Sequence, residues 1–140
     1  MDRSEPSAAG DQISVVVADD DRRVRSAVTT LLDSHPRFSV VGAAATGEEA
    51  ARLCVEHTPA LAIVDVTMPT GGETAIRAIR AGSATTVVVV HTARSDRHTI
   101  DRMLAAGAIG VITKGAGGSF LQTLTGLWDQ GATGDADPTR

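Results

Sequence analysis

Aromatic residues are nearly missing from this chain of 140 residues: they make up 2%, and there is no tyrosine. That excludes the stacked aromatic platforms on which single-stranded nucleic acids are bound, and it leaves a core made of Val, Ile, Leu and Ala. The single cysteine, Cys54, has no internal disulfide partner, and no Cys/His pattern of zinc-binding spacing accompanies it. No apolar run approaches the roughly 18 residues of a membrane span, and no apolar amino-terminal signal segment is visible, so a soluble cytoplasmic protein is expected. Surplus positive charge is absent as well, since 13 basic against 17 acidic residues give a net charge of -4. A general affinity for nucleic acid phosphates is therefore not expected, and any contact with DNA is assigned to an output domain outside this chain. What is present is 42% hydrophobic residues, enough to close one core in a chain too short for a second full domain.

Residues 1–11 are small and polar with a proline, the composition of a disordered leader, and residues 130–140 lack apolar periodicity, as in a linker or tail. The folded unit is expected over 12–129. Within it, short runs rich in β-branched residues at 13–18, 38–43, 61–65, 86–92 and 109–113 have strand length. Val15 to Val17 and Val87 to Val90 are apolar without alternation, as in parallel strands covered on both faces. Helical spacing fills the gaps: Val24, Val28, Leu31 and Leu32; Ala50, Leu53 and Cys54; Ala75, Ile76 and Ile79; Ile100, Met103 and Leu104; Phe120, Leu121, Leu124 and Trp128. Gly82 and Gly107 stand where C-caps are wanted, Ser95 and Ser119 where N-caps are wanted. Strict alternation with right-handed crossovers predicts a doubly wound α/β fold: a five-stranded parallel sheet of order 2-1-3-4-5 with five helices. Its ligand crevice lies beyond the carboxyl ends of the strands, where the strand order reverses.

The chemistry-bearing residues fall at that edge. Asp19, Asp20 and Asp21 follow the first strand and Asp65 closes the third. Carboxylates that converge this closely favour a hard cation with oxygen ligands, which suits Mg2+. The plainer reading of Asp19 to Asp21 is that they cap the first helix. Asp65 has no such role and is the candidate nucleophile or ligand. Thr92 ends the fourth strand, and Lys114, the one lysine beside twelve arginines, follows the fifth. A hydroxyl and an ammonium beside a carboxylate cluster are what an incoming phosphoryl group needs.

Val17-Ala18-Asp19-Asp20, Asp65-Val66-Thr67-Met68-Pro69, Thr92-Ala93 and the stretch from Gly107 to Lys114 together resemble the receiver domain of bacterial two-component response regulators. The resemblance runs over about residues 12–130. Val24-Arg25, Val40-Val41-Gly42 and Gly47-Glu48-Glu49-Ala50 are similar to the subfamily whose receivers precede a LuxR-type helix-turn-helix output. The resemblance implies a flavodoxin-like receiver fold in which Asp65 accepts a phosphoryl group from a sensor histidine kinase. Asp20 would then bind Mg2+ directly, Asp19 mainly through water, and the backbone carbonyl of Thr67 would supply a further ligand. Thr92 and Lys114 would hold the phosphoryl oxygens, and the product would be a signalling switch rather than a metabolic enzyme. It also implies homodimer surfaces on the fourth helix, fifth strand and fifth helix, or on the first and fifth helices.

Departures from the family pattern are specific. Val111 stands where receivers carry Tyr or Phe, Gly115 where many have proline, and Thr70-Gly71-Gly72 makes a loop one residue shorter than usual. Asp21 stands where the subfamily often has histidine, which would add negative charge near the metal. Val111 and the short Thr70 to Gly72 loop suggest one alternative, a pseudo-receiver acting as a phosphorylation-independent interaction module, against which stands the retention of Asp19, Asp20, Asp65, Thr92 and Lys114. A phosphatase of the haloacid dehalogenase type is a second alternative, but it wants an aspartate where this chain has Thr67. Arg22, Arg23 and Arg25 read as a solvated face, His91 and His98 as packing or surface residues rather than a pH sensor, and Cys54 as an inert member of a helix stripe. Trp128 either caps the core or forms part of a dimer surface.

Overall fold

The structure, a computed structural model, describes residues 12–69, 71–94, 96–115 and 119–131. The expected leader at 1–11, most of the expected tail, Thr70 and Ser95 lie outside the described residues. Strands and helices alternate along the chain: β1 (Ile13–Ala18), α1 (Arg22–Asp33), β2 (Phe38–Ala44), α2 (Gly47–His57), β3 (Leu61–Val64), α3 (Gly72–Gly82), β4 (Val87–Thr92), α4 (Arg97–Ala106), β5 (Ala108–Thr113) and α5 (Phe120–Gly131). The strands form one parallel sheet of order β2-β1-β3-β4-β5, as the alternation predicts. Among the described residues no helix is long and apolar enough to cross a membrane.

The side-chain period of two sorts each strand into two cores. Val16, Ala18, Ala62, Val64, Val88 and Val90 pack with Ala50, Cys54, Ile76, Ile79 and Met103 from α2, α3 and α4. Val15, Val17, Leu61, Ile63 and Val89 point the other way, onto Val28, Leu32 and Leu124 from α1 and α5. All four residues of β3 are buried, which is why its sequence shows no alternation. Burial on this scale supplies roughly 1.5–3 kcal/mol for each large side chain.

Capping fixes where the helices begin. Asp21 caps α1, its Oδ1 accepting the N–H of Arg23 at 2.9 Å and of Val24 at 3.2 Å, so the plainer reading holds for this aspartate. Thr46 caps α2 through the N–H of Glu49. For α4 the cap is Asp96, which accepts both the N–H and the hydroxyl of Thr99, where the serine one residue earlier was expected. A carboxylate is the stronger acceptor for an exposed helix start. Ser119 caps α5 as expected, accepting the Gln122 N–H at 3.1 Å. Gly107 ends α4 at φ 126, while Gly82 is still helical and Ser83 is the C-cap of α3. β4 begins at Val87 because the buried Thr86 turns its hydroxyl to the Pro59 carbonyl and Ser83.

Candidate functional site

β1 and β3 run side by side where the strand order reverses, so the residues just past their ends become neighbours. Asp65 donates its N–H to the Ala18 carbonyl and Asp19 donates its own to Ala44, both at 3.0 Å, which carries the strand pairing one step beyond the sheet. Carboxylate oxygens of Asp19, Asp20 and Asp65 lie within 4.8 Å of one another, the first and last buried and Asp20 exposed. Lys114, delivered by β5, places Nζ at 3.0 Å from Asp19 Oδ2 and 3.3 Å from Asp65 Oδ2. Its backbone N–H is tied to the Thr92 carbonyl at 2.7 Å. Thr92 itself is fully buried at the end of β4, and its hydroxyl oxygen accepts the Arg94 N–H at 3.0 Å.

Three carboxylates facing one ammonium leave a surplus of negative charge in a mostly buried site. Burial raises the pKa of Asp19, and the nearby charge of Asp65 adds to this, against the bonds from the Asp21 N–H and Lys114 that lower it. For Lys114 burial acts against the charge, but the bond to Asp19 and the attraction of Asp65 outweigh it, so its pKa is raised. The donor set is all oxygen, with one exposed carboxylate that gives access, and it fits a hard divalent cation that would relieve the repulsion. Asp21 is turned to the helix as its cap and stands outside this cluster, so the negative charge expected from it near a metal is committed to α1.

The family model described as response regulator receiver domain matches residues 15–124. The chain belongs to this family. It is 38% identical over 106 residues to the response regulator GacA of Pseudomonas aeruginosa, covering 75% of this chain and 50% of that protein. It is 36% identical over 115 residues to a protein-glutamate methylesterase/protein-glutamine glutaminase of Geobacter sulfurreducens, covering 81% of this chain and 31% of that protein. Among solved structures, a LuxR-family two-component response regulator from Aurantimonas superposes with TM-score 0.78 at 28% identity, over 84% of this chain and 86% of that one. The chain thus spans between about a third and a half of the curated relatives it matches. It is a receiver domain, a signalling module, and its Asp19, Asp20 and Asp65 form the acidic triad typical of a receiver's Mg2+ site.

Within this receiver several neighbours of the site escape a reading of the sequence alone. Beyond its carbonyl, Thr67 donates its N–H to Asp65 Oδ1 at 3.1 Å and its hydroxyl to Oδ2 at 2.8 Å. The signal is local: an Asp followed two residues later by Thr forms a side-chain turn of this kind. Arg25, placed with the solvated arginines of α1, reaches back to the Asp19 carbonyl at 2.9 Å. His91 lies on the α5 side of β4 with its ring centroid 4.9 Å from that of Phe120. Burial first, and then the charge of Lys114, push its pKa down to about 4, with Asp65 opposing, so at neutral pH it is an uncharged packing residue. His98 is exposed. Val111 packs with the core on the α4 side, and no tyrosine in the chain is there to replace the missing ring. Cys54 is buried with its thiol pushed up to about 11 by burial, which makes it unreactive as expected. Trp128 packs against the α1 and α5 core, which favours the capping role over a purely external surface.

Proposed function

We propose that Asp65 is the phosphoacceptor of this receiver and takes its phosphoryl group from the phosphohistidine of a sensor kinase. The observation that carries the reading is the position of Asp65, buried at the mouth of β3 with Lys114 Nζ at 3.3 Å and two further carboxylates beside it. One Asp65 oxygen attacks phosphorus in line, the new O–P bond forms as the P–N bond to histidine breaks, and the departing imidazole takes up a proton. Asp20, Asp19, Asp65 and the Thr67 carbonyl would hold Mg2+. When bound, the ion neutralises the repulsion between the carboxylate and the phosphoryl oxygens. Lys114 is already bonded to Asp65 Oδ2 and would follow the negative charge onto the phosphoryl group, while the Thr92 hydroxyl supplies a second donor.

The same reading makes residues 12–129 the signalling unit, with the output carried elsewhere in the parent protein or by a protein partner. Two copies would pair through α4, β5 and α5, where Leu104 is exposed, or through α1 and α5, where Leu31 is exposed. Size measurement with and without a phosphoryl mimic tests this, and an unchanged monomer counts against it. Phosphorylation is tested by intact mass after incubation with acetyl phosphate and Mg2+. Wild type gains one phosphoryl group and Asp65→Asn gains none. If wild type stays unmodified while still binding Mg2+, the absence of an aromatic at Val111 points instead to a phosphorylation-independent interaction module.

A further inference from the structure

A second polar site lies beside the carboxylate pocket without sharing its residues. Between the start of α3 and the inner face of α4 is a cavity of about 470 Å3, lined by Arg77, Arg94 and Arg102 together with Glu73, Thr74 and Thr99. This is within the size range of small-molecule sites. Its charge is positive: three guanidinium groups face one carboxylate. Glu73 holds two of them in place, accepting Arg102 Nε and Nη2 on Oε1 at 3.1 and 2.8 Å and Arg77 Nη2 on Oε2 at 3.1 Å. Those bonds leave Nη1 of Arg102 and Nε and Nη1 of Arg77 as further donors in a braced arrangement. Arg94, two residues past the end of β4, also lines the cavity and is only loosely paired, 3.9 Å from Asp96.

The cavity is also closed by the one uncapped helix start among α1 to α4. The N-cap residues of α1, α2 and α4 each accept a backbone N–H with their side chains, whereas Gly71 of α3 makes no such bond. Glu73 and Thr74, whose N–H groups lack that acceptor, line the cavity. Gly72 is needed to bring this helix start so close to the loop, since a Cβ there would meet Val66 at 2.6 Å. Val66 and Met103 supply an apolar wall. Guanidinium forks and an open helix start together attract an oxyanion such as a phosphate, and the apolar wall adds room for a carbon skeleton.

We propose that this cavity binds a small organic phosphate, with the phosphate held by Arg77, Arg94, Arg102 and the first turn of α3, and the organic part against Val66 and Met103. Because the Gly72 N–H is bonded to the Val66 carbonyl at 3.2 Å, and Val66 follows Asp65, an occupant also steadies the loop beside the carboxylate pocket. Binding does not depend on phosphoryl transfer at Asp65.

The test uses the full, isotope-labelled chain titrated with glycerol phosphate while a chelator keeps divalent cations out of the carboxylate pocket. Expected are saturable shifts of the Gly72, Glu73 and Thr74 amides, with those of Arg22 and Arg23 on the exposed basic turn of α1 unmoved. Arg94→Gln and Arg102→Gln each weaken binding by about tenfold, the loss of one charged hydrogen-bonding group. Arg94→Gln leaves the Glu73 network intact, so its effect does not pass through misfolding. Asp65→Asn leaves the affinity unchanged, and inorganic phosphate, lacking the carbon skeleton, binds more weakly. The assignment is overturned if no saturable shift appears at millimolar probe, if Arg22 and Arg23 move in parallel, if Arg94→Gln binds as tightly as wild type, or if Asp65→Asn abolishes binding.

Discussion

On the α1 and α5 side of the sheet, β4 presents His91 against Phe120, and an apolar groove of about 270 Å3 runs from Val24, Ala27, Val28 and Leu31 up to Lys114. On the α2 to α4 side, β5 presents Val111, and the neighbouring cavity is lined by arginines. The groove reaches Lys114, the partner of Asp19 and Asp65, along apolar side chains, whereas the arginine cavity is charged and shares no residue with the carboxylate pocket. Where many receivers have a ring at position 111, this chain has a ring contact on the opposite face, one residue before Thr92. A shift of Thr92 would therefore be felt through β4 by an aromatic contact on the α5 side, while on the α4 side it would meet only aliphatic packing.

The largest effects come from emptying each core in turn. Leu124→Ala on α5 and Ile76→Ala on α3 remove fully buried side chains, and each is expected to cost about 3 kcal/mol in urea unfolding. The comparison predicts that only Leu124→Ala shifts the imidazole signals of His91, because its cavity opens on that face. Equal shifts from both variants would mean that the two faces are not separate.

A pH profile sharpens the contrast. The folded pKa of His91 is about 4, below the ordinary 6.5, so the folded state excludes a proton that the unfolded chain accepts. The stability tied to neutral His91 is complete above pH 6.5 and is lost as pH falls from there towards 4, by at most about 3 kcal/mol. His91→Leu should flatten this part of the profile, whereas Val111→Leu should not. Urea midpoints taken through this window decide it, and parallel slopes for wild type and His91→Leu would sink the assignment.

Adjacent aspartates give a smaller pair of effects. Asp21→Ala removes the α1 cap and should cost about 1 kcal/mol while leaving phosphoryl uptake by Asp65 intact. Asp20→Ala, at an exposed position, should leave the urea midpoint nearly unchanged and abolish Mg2+-dependent phosphorylation in the mass assay. The smallest change in stability is expected from Glu73→Gln, whose arginine partners are solvent-exposed, and thermal unfolding should barely register it.

Much of this was legible because burial leaves marks in composition. The unbroken apolar run of β3 and the valines of β4 identify strands covered twice, and such strands carry their terminal residues to a common edge. Asp19, Asp65 and Lys114 meet as that logic requires. What stayed hidden depends on which of several equivalent polar groups wins a local competition. Asp96 took a helix start, Thr67 turned its hydroxyl onto Asp65, and Thr86 left β4 for the Pro59 carbonyl. The arginine cavity was invisible for another reason, since Arg77 and Arg102 look like ordinary helix-surface charges until α3 and α4 are packed side by side.

The bridge that Lys114 makes between Asp19 and Asp65 belongs to the only lysine in the chain. The remaining basic side chains are twelve arginines and four histidines, and none of them is a primary amine. Acylating reagents aimed at lysine side chains thus have one address in this chain, and that address is the carboxylate pocket. Peptide mapping of the modified amine becomes a direct gauge of pocket occupancy: any group that draws the ammonium inward slows its acylation, and any change that frees it from the two carboxylates speeds it.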